Sequence, residues 1–314
     1  MLTPAAILKP STAPDDPRIG HLIRPGTMAD LAAQPRCVLL GFPSDEGVRR
    51  NGGRVGARDG PSVLRSWLYR LTPDPVQIEA FRALCQATLD LGDVMCSGDL
   101  EADQAALGEV VHAVLEAGAI PIILGGGHET SWGHIQGYIR QQQPFRVVNI
   151  DAHPDVRPLR DGQAHSGSPF YQALTMADGF CQAYHVAGLN PSTIAAAHLQ
   201  RIEHHSGTAH FAEACSPALW DALYYTEGAP MLATFDLDAL DQAAAPGVSA
   251  PNAWGLSPKV WLSACEAAGR SPQVVSFDIV ELNPAFDRDH QTARLAALSV
   301  WHILRGLALR GSAD

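Results

Sequence analysis

No stretch of this chain approaches the ~20 consecutive apolar residues of a bilayer-spanning helix, so no membrane span is expected. The first 20 residues carry prolines and aspartates where a secretory signal would need an apolar core, which points to an intracellular protein. Cysteine is sparse. The six thiols, at positions 37, 85, 96, 181, 215 and 265, form no CxxC pair and no dense framework. That spacing excludes a disulfide scaffold and reads as reduced, mostly buried thiols of a cytoplasmic protein. Positive charge is also short: 22 Lys and Arg against 33 Asp and Glu give a formal net charge of −11. Nucleic acid and anionic membrane are therefore poor candidates for the main partner. A small anionic substrate stays open, because a local basic patch can oppose the overall sign.

What remains is a soluble chain with 46% hydrophobic and 18% charged residues, enough for a substantial core. Internal repeats, low-complexity tracts and linkers are absent, so a single domain over 36–314 is expected, preceded by a Pro-rich extension over 1–35. The apolar runs CVLLGF, AIPIIL, VVNI, MLATF and VVSFDI read as buried strands, as does 183–189, with a short edge strand at 89–94. Helical spacing is expected over 60–71, 100–117, 129–142, 257–269 and 294–309, with patches near 192–203 and 216–225. The stretch 44–60 reads as a long loop. Strands apolar on both faces and alternating with helices predict an α/β three-layer sandwich around a mostly parallel sheet.

In such sheets ligands bind at the carboxyl ends of the strands. Three of the expected strands end in residues that bind metals. The run VVNIDAHPD places Asp151, His153 and Asp155 at alternate positions, where side chains of an extended chain point the same way. AIPIILGGG runs into His128, and MLATF into Asp236 and Asp238. The Asp151 and Asp236 runs each also read, alone, as a capped strand end or acidic turn. Together, four carboxylates would repel one another unless divalent cations cancel their charge. Two imidazoles and four carboxylates suit a hard to borderline ion such as Mn(II). Two such ions sharing a water would make it a hydroxide near neutral pH.

The segments GGGHE (125–129), DAHPD (151–155) and FDLDALD (235–241) resemble the three signatures of the ureohydrolases, the arginase and agmatinase family of binuclear manganese enzymes. The resemblance implies an arginase-like fold with about eight strands, two Mn(II) ions per chain, and a trimeric or hexameric assembly. It implies His128, Asp151, Asp155 and Asp236 around one ion, and His153, Asp238 and the shared Asp151 and Asp236 around the other. Asp241 matches a family position but reads as turn-forming. By the same resemblance His165, in AHSGSPF, is a proton shuttle, and Glu281, in SFDIVELNP, holds the amidine-like group of the substrate. A carboxylate at a strand end also suits a planar cation on its own chemistry.

Arginine-cleaving members carry an asparagine two residues past DAHPD, where this chain has Arg157. The stretch after the first strand adds Arg49, Arg50, Arg54 and Arg58, a basic cluster in an acidic protein, without a phosphate-cradling pattern. Arg157, Arg54 and Asn51 are the candidate substrate-binding residues beside Glu281. These segments, with APGVSAP and ELNPAFDRD, look like the branch of the family that cleaves N-formimidoyl-L-glutamate to L-glutamate and formamide in histidine degradation. The alternatives are a family member releasing urea from a guanidino acid, and a non-catalytic member that binds a ligand. His204, His205 and His210 read as surface histidines rather than a second metal site.

Overall fold

The structure is a computed structural model that describes residues 2–4 and 15–310. Its centre is a sheet of eight strands: β1 (Cys37–Phe42), β2 (Thr88–Val94), β3 (Ile120–Gly125), β4 (Phe145–Ile150), β5 (Cys181–Leu189), β6 (Thr208–Phe211), β7 (Met231–Asp236) and β8 (Val274–Val280). Their order is β2-β1-β3-β8-β7-β4-β5-β6, parallel throughout. The pair Leu2–Thr3 adds antiparallel to β2, and Arg24–Pro25 pairs with β2 in parallel, so part of the N-terminal stretch extends the sheet edge. Ile19 and Ile23 of that stretch are buried in the main core.

The alternation of strand side chains explains why the central strands are apolar throughout. Leu39, Ile122, Leu124, Val148, Ile150, Ala233 and Phe277 face one core, against helices Gly60–Leu68, Pro258–Arg270 and Gln291–Leu309. Val38, Leu40, Ile123, Val147 and Leu232 face the other side, under helices Leu100–Glu116 and Thr130–Gln141. Burying both faces removes apolar surface on each at ~25 cal/mol per Å², which selects uninterrupted Val, Ile and Leu. No helix among the described residues is long and apolar enough to cross a membrane.

Three local expectations change. The segment read as a loop contains a helix, Glu46–Arg50, and a short turn of helix, Ala57–Asp59. The helix Ile78–Gln86 and the strand β6 carried no signal strong enough to read: the first is short, and β6 is an exposed edge with polar positions. β6 turns the stretch around His210 into a strand. The groups of metal-type residues found among the described residues lie elsewhere.

β5 carries a testable feature. Burial, with Arg146 and His210 nearby, pushes the His185 imidazole down to about 4, and its Nδ1 lies 2.9 Å from Thr208 Oγ1 on β6. A ring that protonates near 6.5 when unfolded but only near 4 in the fold removes stability as pH falls between those values. Urea midpoints measured from pH 7 to pH 4 should therefore fall less steeply in His185→Gln than in the parent; identical slopes would refute the assignment.

Candidate metal centre

Four neighbouring strands, β3, β8, β7 and β4, run parallel, so their carboxyl ends open at one edge of the sheet. Chain reversals there place His128 after β3, Glu281 after β8, Asp236 and Asp238 at and after β7, and Asp151, His153 and Asp155 after β4. The turns are built from the ligands themselves. Asp151 Oδ1 accepts the His153 N–H at 2.7 Å, and Asp236 Oδ1 accepts the Asp238 N–H at 2.8 Å. Each carboxylate thereby aims its second oxygen inward. Asp155 and Glu281 adopt left-handed backbone, at φ 42° and 67°. Non-glycine residues hold such angles at a cost of roughly 1 kcal/mol or more, a pattern that concentrates at functional sites. Gly126 is required by close approach: a Cβ there would stand 1.8 Å from Ser44 O.

At the centre lies His128 Nδ1, with carboxylate oxygens of Asp236, Asp155 and Asp151 at 2.9, 3.1 and 3.2 Å. The nitrogen is buried, yet none of the three meets hydrogen-bond geometry. Three oxygens and a bare nitrogen converging on one point are the donors of a cation. His153 Nδ1 lies 3.1 Å from Asp238 Oδ2 and 3.6 Å from Asp151 Oδ1, a second convergence that shares Asp151. The two sets, His128-Asp151-Asp155-Asp236 and Asp151-His153-Asp238, each bring one donor atom per residue within 4.8 Å of the others. Asp236, expected around both ions, falls with the first set.

The charges show the same need. Burial, then Asp238 and Asp151, hold Asp236 well above the usual carboxylate range. Burial also raises Asp238, to about 6, despite the attraction of His153. Asp238, with Asp151, raises His153 to about 12. His128 is raised as well, its burial overcome by Asp151, Asp155 and Asp236. Divalent ions would relieve this crowding, so the residues fit two such ions.

Asn149, which carried no assignment from the sequence, supports this arrangement: its Nδ2 donates to Asp151 Oδ2 at 3.0 Å and to the Tyr184 hydroxyl at 3.1 Å. A lone amide in an apolar strand, with the parity of Asp151, was its available signal. Asp241 accepts the Ala243 N–H at 2.8 Å, as a turn-former does.

Above the centre is a cavity of about 300 Å³. His153, Asp155, Asp236, Asp238 and Glu281 form its floor, and Asn51, Arg54, Arg157, Ser166, Ser249 and Ala250 its wall. Glu281 is 4% exposed. Its Oε1 accepts the His128 N–H at 2.8 Å, while Oε2 has no partner. Arg157 is exposed, with Nη1 3.4 Å from Asn51 Oδ1; Asn51 Nδ2 in turn donates to Ser166 Oγ at 3.1 Å.

The arginines of the cluster have different partners. Arg49 pairs with Glu46, and Arg50 with Glu46 and Glu101, at 2.5 to 3.0 Å, so neither is aimed at the cavity. Arg54 lines the wall, but its guanidinium donates to the carbonyls of Val248 and Ser249 and lies 4.0 Å over the Phe286 ring. It braces the wall, leaving Arg157 as the cation turned to the opening. His165 is buried beside the cavity and not in its lining. Its Nδ1 accepts the Gly167 N–H at 3.1 Å and its Nε2 faces Pro158 O at 3.1 Å. Both ring nitrogens hold the loop in this arrangement, and burial lowers the imidazole pKa.

Comparison with known proteins agrees with the geometry. A model of the arginase family matches residues 35–305. The formimidoylglutamase of Rhodococcus jostii is 36% identical over 290 residues, covering 88% of this chain and 87% of its own. That of Paraburkholderia xenovorans is 36% identical over 314 residues, covering 93% and 94%. Among solved structures, formiminoglutamase of Trypanosoma cruzi with Mn2+ superposes with a TM-score of 0.85 at 34% identity, covering 94% of this chain and 100% of that one. Formimidoylglutamase from Bacillus subtilis, 23% identical over 96% of this chain and 95% of its own, shows the same fold with a TM-score of 0.82. The parallel sheet, the ligand turns and these matches agree: the chain belongs to the arginase family.

Proposed function

We propose that the chain hydrolyses N-formimidoyl-L-glutamate to L-glutamate and formamide, with two Mn(II) ions bound by the two donor sets. The observation that carries the reading is that an unpartnered buried carboxylate oxygen of Glu281 and the exposed guanidinium of Arg157, held by Asn51, line the same small cavity. A substrate with an amidine at one end and carboxylates at the other fits that polarity. A cationic amine such as agmatine would meet Arg157 with like charge. The relatives' names support the same substrate.

The bound ions supply a water of lowered pKa and cancel the charge of the carboxylates that hold them. Glu281 Oε2 receives an amidinium N–H, and its fixed Oε1 bond to the His128 backbone orients the carboxylate. Arg157, steadied by Asn51, binds a substrate carboxylate. His165 would pass a proton, directly or through a water, to the departing glutamate nitrogen once its Pro158 contact yields. Until then it braces the loop that carries Arg157.

Purified protein loaded with Mn(II) should release formamide from N-formimidoyl-L-glutamate and lose turnover with a chelator. Urea release from guanidinobutyrate or arginine, without formamide, would move the assignment to a guanidino acid. Inertness toward every amidine while Mn(II) is bound would favour a binding protein. For Arg157→Ala we expect KM to rise roughly 10- to 100-fold with kcat little changed, the loss of one charged hydrogen bond made in both ground and transition states. An unchanged KM would remove Arg157 from the substrate site. The reading further includes a reducing cytoplasmic setting, which the six unpaired cysteines suit, and a trimer or hexamer, which light scattering on the purified protein tests.

A further inference from the structure

Behind the metal centre, a chain of buried polar groups leads from His128 into the core. His128 Nε2 lies 3.1 Å from Thr234 Oγ1, which lies 3.2 Å from Ser131 Oγ. Ser131 Oγ is 3.2 Å from each carboxylate oxygen of Asp278, and Asp278 Oδ2 is 2.7 Å from His134 Nδ1. All four residues beyond His128 are fully buried. Thr234 and Asp278 are register partners on β7 and β8. His128, Ser131 and His134 recur every three residues along the segment entering helix Thr130–Gln141, so one side of that segment lies over both strands.

If every bond in this chain is made at once to an ionised Asp278, its donors and acceptors run one way. An ionised carboxylate only accepts, and each hydroxyl has a single proton to give. Ser131 gives its proton to Asp278, so its oxygen accepts from Thr234. The Thr234 oxygen is then left to accept the Nε2–H of His128. That tautomer turns the Nδ1 lone pair toward Asp151, Asp155 and Asp236. We propose that Asp278 is a positioning residue for the ion held by His128, acting through Ser131 and Thr234 to keep that imidazole in its metal-binding tautomer and orientation. The proposal rests on the metal-centre reading and reaches four residues beyond it.

Asp278→Asn makes a directional prediction. The amide oxygen would stay with the His134 Nδ1–H and the NH2 would face Ser131. Ser131 would then donate to Thr234 and Thr234 to His128 Nε2, leaving a proton on Nδ1 where the ion belongs. Thr234→Val cuts the relay, and Thr234→Ser keeps it.

The test titrates chelator-stripped protein with Mn(II) against a competing chromogenic chelator, with electron paramagnetic resonance reporting coupled or isolated ions. Wild type should take up two spin-coupled ions. Asp278→Asn and Thr234→Val should bind one of the two 10- to 100-fold more weakly and show isolated Mn(II), the usual size of an outer-shell effect. Thr234→Ser should match wild type. Far-ultraviolet circular dichroism establishes folding, and if Asp278→Asn does not fold, the two Thr234 variants decide. Wild-type affinity for both ions in Asp278→Asn or Thr234→Val overturns the proposal, as does equal weakening in Thr234→Ser and Thr234→Val, which would indicate packing. Failure of wild type to bind two ions would overturn the metal-centre reading itself, and the relay with it.

Discussion

Asp236→Asn is expected to lower Mn(II) affinity at least 100-fold and leave under about 1% of activity, more than the 10- to 100-fold of an outer-shell change. The same substitution should raise the melting temperature of the chelator-treated protein. Both outcomes follow from one arrangement. Asp236 Oδ2 stands 2.9 Å from His128 Nδ1 among the donors of the first set, while Oδ1 caps the Asp238 N–H. Asparagine keeps the cap through its oxygen and loses the ligand charge. Without metal, burial and the charges of Asp238 and Asp151 hold the Asp236 pKa well above its usual value. A carboxylate raised by folding contributes stability when protonated and loses it as pH rises through the native value. As pH rises above the ordinary carboxylate range the metal-free parent therefore loses stability that the variant, with no carboxyl to titrate, keeps, and the gap should close toward pH 4. With Mn(II) at 100 times its Kd the order reverses, because binding adds about 2.7 kcal/mol to the parent. Differential scanning fluorimetry with chelator and with Mn(II) reads both. A variant that is active with two tightly bound ions would refute the ligand assignment.

Much of this site is written in strand parity. Asp151, His153 and Asp155 alternate, as do Asp236 and Asp238, and parallel strands must end at one edge, so the convergence of both groups with His128 follows from local pattern and fold class. Residues whose meaning depends on a distant partner were not legible. Ser131 gains its role from Asp278, 147 positions away, and Thr234 from His128, 106 positions away. Neither spacing has a periodicity to betray it. The arginines show a different failure. Glu46 stands three and four residues before Arg49 and Arg50, the spacing of helical ion pairs. Read as a loop, that segment is a basic cluster of four arginines; read as the helix it forms, it pairs two of them with its own Glu46. His165 marks the limit of resemblance: the family signature implies a proton shuttle there, but the bonds of its two nitrogens depend on the loop conformation around Pro158 and Gly167.

Glu281→Gln is expected to reduce kcat/KM for N-formimidoyl-L-glutamate by about 10²- to 10³-fold with both ions retained, the scale of removing one partner from a buried charge pair. The side chain belongs to neither donor set. What it offers is a single unpartnered oxygen at the cavity floor, with its twin held by the His128 backbone N–H. Glutamine can preserve that inner bond through its amide oxygen. It must then present an NH2 to the amidinium, replacing attraction by donor-to-donor contact. Burial, with Asp236, Glu129 and Asp238 nearby, pushes the Glu281 carboxyl well above its usual range. Bound cations and an arriving amidinium both favour its ionised form. Since that form is the one that binds, kcat/KM in wild type should rise with pH along an acid limb that Glu281→Gln flattens. The left-handed backbone at φ 67° is shared by both side chains, so the exchange adds no new strain there. Steady-state kinetics across pH, paired with metal analysis, separate the possibilities. Near-wild-type kcat/KM would remove Glu281 from substrate binding, whereas loss of metal along with activity would make it a structural support of the ligand turns.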